Sequence, residues 1–326
     1  MIRILKEYNN KDLNFFSSKE YLSAQSNDYG WFVDDNFILP YFICKKLFFR
    51  YMIFPSETIY LKNNISLDDE KFFLNRVIEK IAKELKYVDF ILRAPSNVVF
   101  NTVPDDAIYC KFGSLPVNLL QDKDVLFKNI HQKHRNAINK AQRDGVRINK
   151  GIQYKTDALN MIDCTMLRRG FESASESICN ELRGLDDNLE FYVSEYDGIA
   201  QGGAIIGLDN KKAYYLYGGS IEKPHQGALT LMHWQIINDM KAKGLDEYVF
   251  VGARINVKKD SSIFGVQRFK ERFGSVMKVG YMWKFPIKPF KYKLYILLKY
   301  INSIMKFKRY TKDLIEEDKK YNTESA

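Results

Sequence analysis

Two short segments hold side chains and backbone able to act on a phosphate or a carbonyl. The first is YGGSIEKPHQGALTLMHW, residues 217–234. A helix opening at Gly227 presents orphan backbone N–H groups and a partial positive charge. Its first turn is Gly227, Ala228, Leu229 and Thr230, and no acid follows until Asp239. Small residues there let an external group approach the backbone, which suits a phosphate or a developing oxyanion. Tyr217, Gly218, His225 and Gln226 flank the turn as candidate donor- or substrate-binding residues. The second segment is QRFKERFG, residues 267–274. Phe269 and Phe273 are four apart, share a helix face and should be buried, with Lys270 at the edge of that face. A lysine held there can stabilise negative charge on a tetrahedral intermediate. Taken singly, a tight turn and a charged surface helix account for both segments, and the basic flank of residues 124–143 reads as a solvated helix face.

Other chemistries find little footing. His131 and His134 are one turn apart, but no third ligand is spaced to join them and His134 falls on an apolar stripe, so a packed or capping role is expected and no metal. Spacing supports neither a Ser/His/Asp nor a Cys/His triad, and the dinucleotide fingerprint and P-loop are absent. Cys44, Cys110, Cys164 and Cys179 form no CxxC pair, which points to reduced thiols in a cytoplasmic protein.

The chain of 326 residues has room for two domains, and its 21 Tyr and 23 Phe imply a core of rings packed on sheets. The N-terminus, MIRILKEYNNKDL, lacks the apolar stretch of a secretory signal, and no run is long and apolar enough to span a membrane. Net charge is +10, yet residues 284–312 alone hold nine Lys/Arg and no acid, so the remainder is nearly neutral. That argues against a uniformly basic nucleic-acid binder and for a basic C-terminal patch.

The elements that would position these segments follow from periodicity. Residues 31–33 and 37–43 form a hairpin across Asp34-Asp35-Asn36, with short strands at 52–54 and 58–61. Residues 68–85 form a helix with Phe72, Phe73, Val77, Ile81 and Leu85 on its apolar face, and 88–93 a buried strand. One helix is expected over 124–143, ended by Gly145, then a strand at Val146 and Ile148, a helix over 157–171 and a polar loop over 172–187. Strands at 190–196, 200–208 and 213–217 follow, the last ended by Gly218-Gly219, then a helix over 227–243 and a strand at 247–251.

In that order, four stretches resemble elements of FemABX-like proteins. HRNAINKAQRDGV (134–146) is similar to their RRxIxKAxxxGV helix, and YDGIAQGGAIIGLDNKKAYYLYGGS (196–220) to the second-half hairpin and next strand. QGALTLMHWQIINDMKAKGLDEYVFVG (226–252) resembles GAnxLLxWexIxxAxxxGxxxfDFgG, and FGVQRFKERFG (264–274) resembles GxxxFKxxFG. Their common order outweighs the plainer reading of each alone. The resemblance implies an α/β (α+β) chain of two GNAT-like domains in tandem, each a mixed, mostly antiparallel sheet flanked by helices. It implies segments 1–123 and 151–287 as the halves, 124–150 as a basic connecting helix and strand, and 288–326 as a basic amphipathic C-terminal helix and tail. By position, Lys270 matches the lysine at the reaction centre, and Gly227 and Ala228 match the small residues of the glycine turn. Phe269, Arg135 and Arg254 complete the candidate binding set. The family's acid in its fDFGG strand is missing from residues 248–253, and so is the coiled-coil arm of some staphylococcal members.

The implied activity is transfer of an acyl or aminoacyl group to an amine of a cell-surface glycan or peptidoglycan precursor, lipid-linked or nucleotide-linked. Acyl-CoA or aminoacyl-tRNA would be the co-substrate, with no tightly bound cofactor. Glu195 and Glu222 are candidate general bases. Phe290, Tyr292, Leu294, Tyr295, Leu297, Leu298, Ile301, Ile304, Met305 and Phe307 alternate with lysines, as in a helix lying on an anionic membrane, here its cytoplasmic face; a helix docked on an apolar protein face fits equally. Two other functions are set against the enzyme: a non-catalytic GNAT-like module binding membrane or glycan, and an RNA-binding protein using residues 128–147 and 284–312.

Overall fold

The computed structural model describes residues 1–259, 261–305 and 313–322. They fall into two compact units, one of Met1–Gly113, Gly252–Asn256 and Val279–Ala326, the other of Ser114–Val251 and Val257–Lys278. The two units interleave along the sequence, because the chain changes unit inside three strands as well as after Asn256.

The first unit begins with β1 (Arg3–Leu5), α1 (Lys19–Gln25), β2 (Tyr29–Val33), β3 (Phe37–Lys46), β4 (Phe49–Ile53), β5 (Ile59–Tyr60), α2 (Leu67–Glu84) and β6 (Phe90–Ile91). The sheet order is β1-β2-β3-β4-β6, with β5 against β3. The expected turn at 34–36 forms because the Asp34 carboxylate accepts the backbone N–H groups of Asn36 and Phe37, each at 2.9 Å. Ser66 opens α2 through a capping box with Asp69. Phe73, Leu74, Val77 and Ile81 turn inward onto Phe37, Leu39 and Tyr41. Phe72, expected among them, is 63% exposed. It sits one position off the stripe, with the Arg76 guanidinium 5.6 Å from its ring.

β7 (Ile108–Asn118) runs from the first unit into the second. Sequence reasoning found only its end, Val117-Asn118-Leu119, by likeness to a family strand, since Gly113, Ser114 and Pro116 break the apolar pattern before it. The second unit continues with α3 (Lys123–Asn129), α4 (Gln132–Arg143), β8 (Arg147–Lys150), α5 (Lys155–Arg168), α6 (Ser175–Glu181), β9 (Leu189–Tyr196), β10 (Ile199–Leu208), β11 (Lys212–Ser220), α7 (Ala228–Ala242), β12 (Glu247–Arg254) and α8 (Ser262–Glu271). Its strand order is β7-β12-β11-β10-β9-β8. β9, β10 and β11 pair antiparallel, and β11 pairs parallel with β12 after the α7 crossover.

Three expectations change here. The single helix over 124–143 is two: Ile130 turns extended, and His131 caps α4 by accepting the Lys133 N–H on Nδ1. The polar loop over 172–187 contains α6, whose approach is fixed by Asp163 accepting the N–H groups of Ala174 and Ser175. Gly218 and Gly219 do not end β11, which pairs on to Ser220. A Cβ on Gly219 would lie 2.2 Å from the Met161 carbonyl oxygen, and one on Gly203 2.7 Å from the Ala158 Cα. These glycines let α5 rest on the strand backbones.

The chain returns to the first unit with β13 (Lys278–Lys284), α9 (Pro289–Met305) and α10 (Leu314–Asp318). Tyr292 and Tyr295 of α9 pack on Phe49 and Phe90. Phe307 and the basic residues Lys306, Lys308, Arg309 and Lys312 of the expected C-terminal patch lie outside the described residues. Among the described residues, no helix is long and apolar enough to cross a membrane.

Candidate active site

Lys270 lies near the end of α8, a helix opened by Ser261, whose hydroxyl accepts the Phe264 N–H at 3.2 Å. Phe273, just beyond the helix, is buried as expected, while Phe269 is only partly so. Their rings meet those of His134, His233 and Phe250 at centroid distances of 4.8–5.5 Å. Tyr215 closes the box, edge-on to His233 at 4.7 Å. The Lys270 ammonium donates to the Phe250 carbonyl at 2.8 Å and stands 5.9 Å from the Tyr215 ring centre. Among the described residues no carboxylate pairs with it, and two of its three donors are unused. Burial alone pushes its pKa down to about 8.

The neighbours of this lysine are neutral. Burial first, then the charge of Lys270, lowers the His233 pKa to about 3. Its Nδ1 is hydrogen-bonded to the Tyr248 hydroxyl at 2.9 Å. Burial likewise takes His134 down to about 4, and its Nε2 donates to the Phe269 carbonyl at 3.0 Å. The packed role expected for His134 is what the structure shows. Immediately after the Phe250 carbonyl, Val251 has φ +46, a left-handed conformation that strains a β-branched residue. Sequence reasoning missed Tyr215, His233, Tyr248 and Phe250. The aromatic run AYYLY and a histidine inside an otherwise apolar helix stripe were the available signals.

The glycine turn is built separately. Gly227 caps α7 with φ +90, and a Cβ there would stand 2.2 Å from the Ala137 carbonyl oxygen of α4. The group approaching this glycine is therefore the α4 backbone. α7 has no acid in its first turn and no side-chain cap. Ala228 is fully buried and donates its N–H to the His225 carbonyl at 3.0 Å. His225 is tied down as well. Its Nε2 is 2.9 Å from Asp144, its ring lies 4.1 Å from that of Tyr196, and its N–H donates to Gln201 at 2.7 Å. Gln201 can reach it because a bulge in the β9–β10 ladder falls at that residue. Gln226 is exposed.

The remaining candidates are dispersed. Gly218 lies under the Tyr215 hydroxyl, where a Cβ would come within 1.9 Å, so it belongs to the Lys270 box. Tyr217 donates to Glu181 of α6 at 2.5 Å. Arg135 bonds the carbonyls of Lys128 and Ile130 at 2.6 and 2.8 Å, bracing the break between α3 and α4. Glu195 accepts from Asn149 at 3.2 Å, and Glu222 is exposed. Arg254, in the first unit, is held by Asp318 at 2.9 Å and by Glu317 at 3.0 Å. The Arg254→Ala variant leaves Asp318, only 5% exposed, unpaired. We expect it to lower unfolding free energy by about 3–5 kcal/mol, read in thermal or denaturant melts, with partial recovery in Arg254→Met/Asp318→Asn.

With this geometry in hand, comparison with known proteins is informative. The model of the FemAB family matches residues 188–300, which include the glycine turn and Lys270. The Lipid II:glycine glycyltransferase of Staphylococcus saprophyticus subsp. saprophyticus is 30% identical over 111 residues, 33% of this chain and 26% of that relative. The chain thus spans about a quarter of the curated relative it matches. The crystal structure of FemX superposes with a TM-score of 0.66 at 14% identity, covering 86% of this chain and 94% of that one. A protein of unknown function from Bacteroides thetaiotaomicron follows at 0.53 and 12% identity, with 88% and 100% covered. Residues 188–300 are thus similar to the FemAB family, and the chain is a mixed α/β protein with two mixed sheets and the fold of FemX.

Proposed function

We propose that the protein is an aminoacyltransferase that joins an aminoacyl group to an amine of a peptidoglycan precursor. One observation carries this reading: a partly buried lysine with no carboxylate partner among the described residues, set in an aromatic box within the region matched by the FemAB family. The glycyltransferase relative supports the substrate class. In the proposed step the acceptor amine attacks the ester carbonyl of an aminoacyl-tRNA. The C–N bond forms as the carbonyl oxygen becomes an oxyanion. The ester C–O bond then breaks, and the leaving oxygen takes the proton lost by the amine. Lys270, with two unused donors, stabilises the oxyanion. His233 and His134, held neutral with low pKa values, cannot compete for that negative charge as cations and are poor bases near pH 7. The base is supplied by another group, the substrate included. The strained Val251 fixes the carbonyl that aims Lys270. A cytoplasmic protein at the inner face of the cell membrane, where lipid-linked acceptors lie, completes the proposal.

The test is incubation with a peptidoglycan precursor and either charged tRNA or acetyl-CoA, followed by mass spectrometry of the acceptor. A gain of one aminoacyl residue from charged tRNA is expected. Acetyl transfer instead would replace the donor, and an unchanged acceptor with both donors would overturn the reading.

A further inference from the structure

β6 ends at Ile91, and Leu92 to Pro95 beyond it line a cleft of about 790 Å³. α9 and α10 supply its other walls, and all of its described lining belongs to the first unit. α9 is seated by Tyr292 and Tyr295, packed on Phe49 and Phe90. α10 is pinned by Ile315, fully buried beside Cys110 and Met282, and by the pairing of Asp318 with Arg254. Both walls are therefore fixed, and the volume they leave suits a small-molecule ligand.

The charges of this cleft do not balance among the described residues. Arg93, Lys284, Lys293 and Lys299 line it together with Asp313 and Glu316, four cations against two carboxylates. The carboxylates are already committed. Asp313 lies 2.9 Å from the Arg93 Nε, and Lys284, with its side chain 1% exposed, is held by Asp313 at 3.1 Å and by Glu316 at 2.8 Å. Lys293 and Lys299 are open to solvent and form no ion pair among the described residues. Lys299 stands 5.8 Å from the Tyr295 ring centre. Partial burial holds its pKa below that of an ordinary lysine; Asp313 opposes this, while Lys46, Lys284 and Arg93 reinforce it. An anion entering here meets two uncommitted positive charges.

The rest of the lining is carbon. Ile53, Leu92, Pro95, Ile296 and Leu314 give the same cleft an apolar wall. A bare inorganic anion would leave that wall unused, and a carboxylate brings only one negative charge. The head of a phosphate monoester carries roughly 1.5 to 2 negative charges near pH 7, which matches the surplus. An apolar group attached to it would cover the wall.

We propose that this cleft binds a phosphate monoester of an apolar alcohol, Lys293 and Lys299 taking the phosphate and Ile296 and Leu314 the hydrocarbon. None of these residues belongs to the Lys270 box, so the site stands independently of the transfer chemistry. The test is calorimetric titration of the full chain with octyl phosphate, inorganic phosphate and sodium octanoate. Octyl phosphate is expected to bind at least about tenfold more tightly than either of the others, and less tightly as salt rises. Lys293→Gln/Lys299→Gln should weaken it by about tenfold or more at an unchanged melting temperature, while Lys293→Arg/Lys299→Arg retains it. Lys11→Gln/Lys83→Gln removes two exposed lysines outside the lining and should leave affinity as it was. Inorganic phosphate binding as tightly as octyl phosphate would make this a free-phosphate site and overturn the proposal. Octanoate binding as tightly, or full affinity in Lys293→Gln/Lys299→Gln, would overturn it as well.

Discussion

Replacing Lys270 with methionine is expected to remove most turnover while making the protein more stable at neutral pH. The two effects have one cause. Burial, with no carboxylate partner among the described residues, puts the folded pKa at about 8, against 10.5 for an ordinary lysine. Below about pH 8 the side chain is charged in both folded and unfolded chains, so the folded state bears the full desolvation cost. Between pH 8 and 10.5 the unfolded chain binds the extra proton, so stability rises with pH. Above 10.5 both forms are neutral and the penalty is gone. Methionine has no charge to desolvate, so its advantage is greatest below pH 8 and fades toward 10.5. The pKa gap corresponds to roughly 3 kcal/mol, from which loss of the bond to the Phe250 carbonyl subtracts about 1 kcal/mol. A net gain on the order of 1–2 kcal/mol in urea melts at pH 7 is expected. Turnover should fall by about 10²–10³ if Lys270 stabilises the oxyanion. A cationic role also requires kcat to decline above about pH 8 as the ammonium loses its proton. Wild-type turnover in Lys270→Met, or a rate that climbs through that pH range, would exclude the charge role.

The sequence exposed Lys270 but hid what makes it unusual. The four-residue spacing of Phe269 and Phe273 was enough to place the lysine beside an apolar face. The rest of the box comes from β11, β12 and α7, which are distant in sequence and adjacent only through the parallel β11–β12 pairing. Periodicity within one element cannot report such a meeting. His233 shows the limit well: in sequence it is one polar residue in an apolar stripe, and only burial against Phe250 and Phe273 makes it neutral. Arg135 and Arg254 show the converse limit. A basic residue near a motif reads as a ligand contact, yet these two are consumed by helix carbonyls and by the carboxylates of α10. The strands over 189–208 and helices α2 and α7 were legible because their patterns are long and their turns carry Asp-Gly, Asp-Asn or a capping box. β7 was not, because its glycine and proline tolerate a strand that sequence preference alone argues against.

Gly227 poses the same question as a choice between two measurable outcomes. If its smallness serves an incoming ligand, alanine there should raise KM and leave the melting temperature alone. The structure predicts the reverse. At φ +90 a Cβ costs about 1–2 kcal/mol. The new atom would also lie 2.2 Å from the Ala137 carbonyl oxygen and 3.1 Å from the Ala141 Cβ. The carbonyl belongs to the α4 backbone, which cannot swing aside as a side chain would, so α4 and α7 must separate at a further cost of roughly 1–3 kcal/mol. A loss of about 2–5 kcal/mol is expected, seen as a melting temperature lower by on the order of 10 °C. Ala141→Gly should recover only a small part, because it removes the 3.1 Å contact and leaves the backbone one in place. The KM of the protein that remains folded should match the wild type. An elevated KM with an unchanged melting temperature would restore the glycine turn as a ligand-binding loop. The predicted outcome assigns it instead to holding α7 against α4, the helix whose His134 packs on Phe269 and Phe273 beside Lys270.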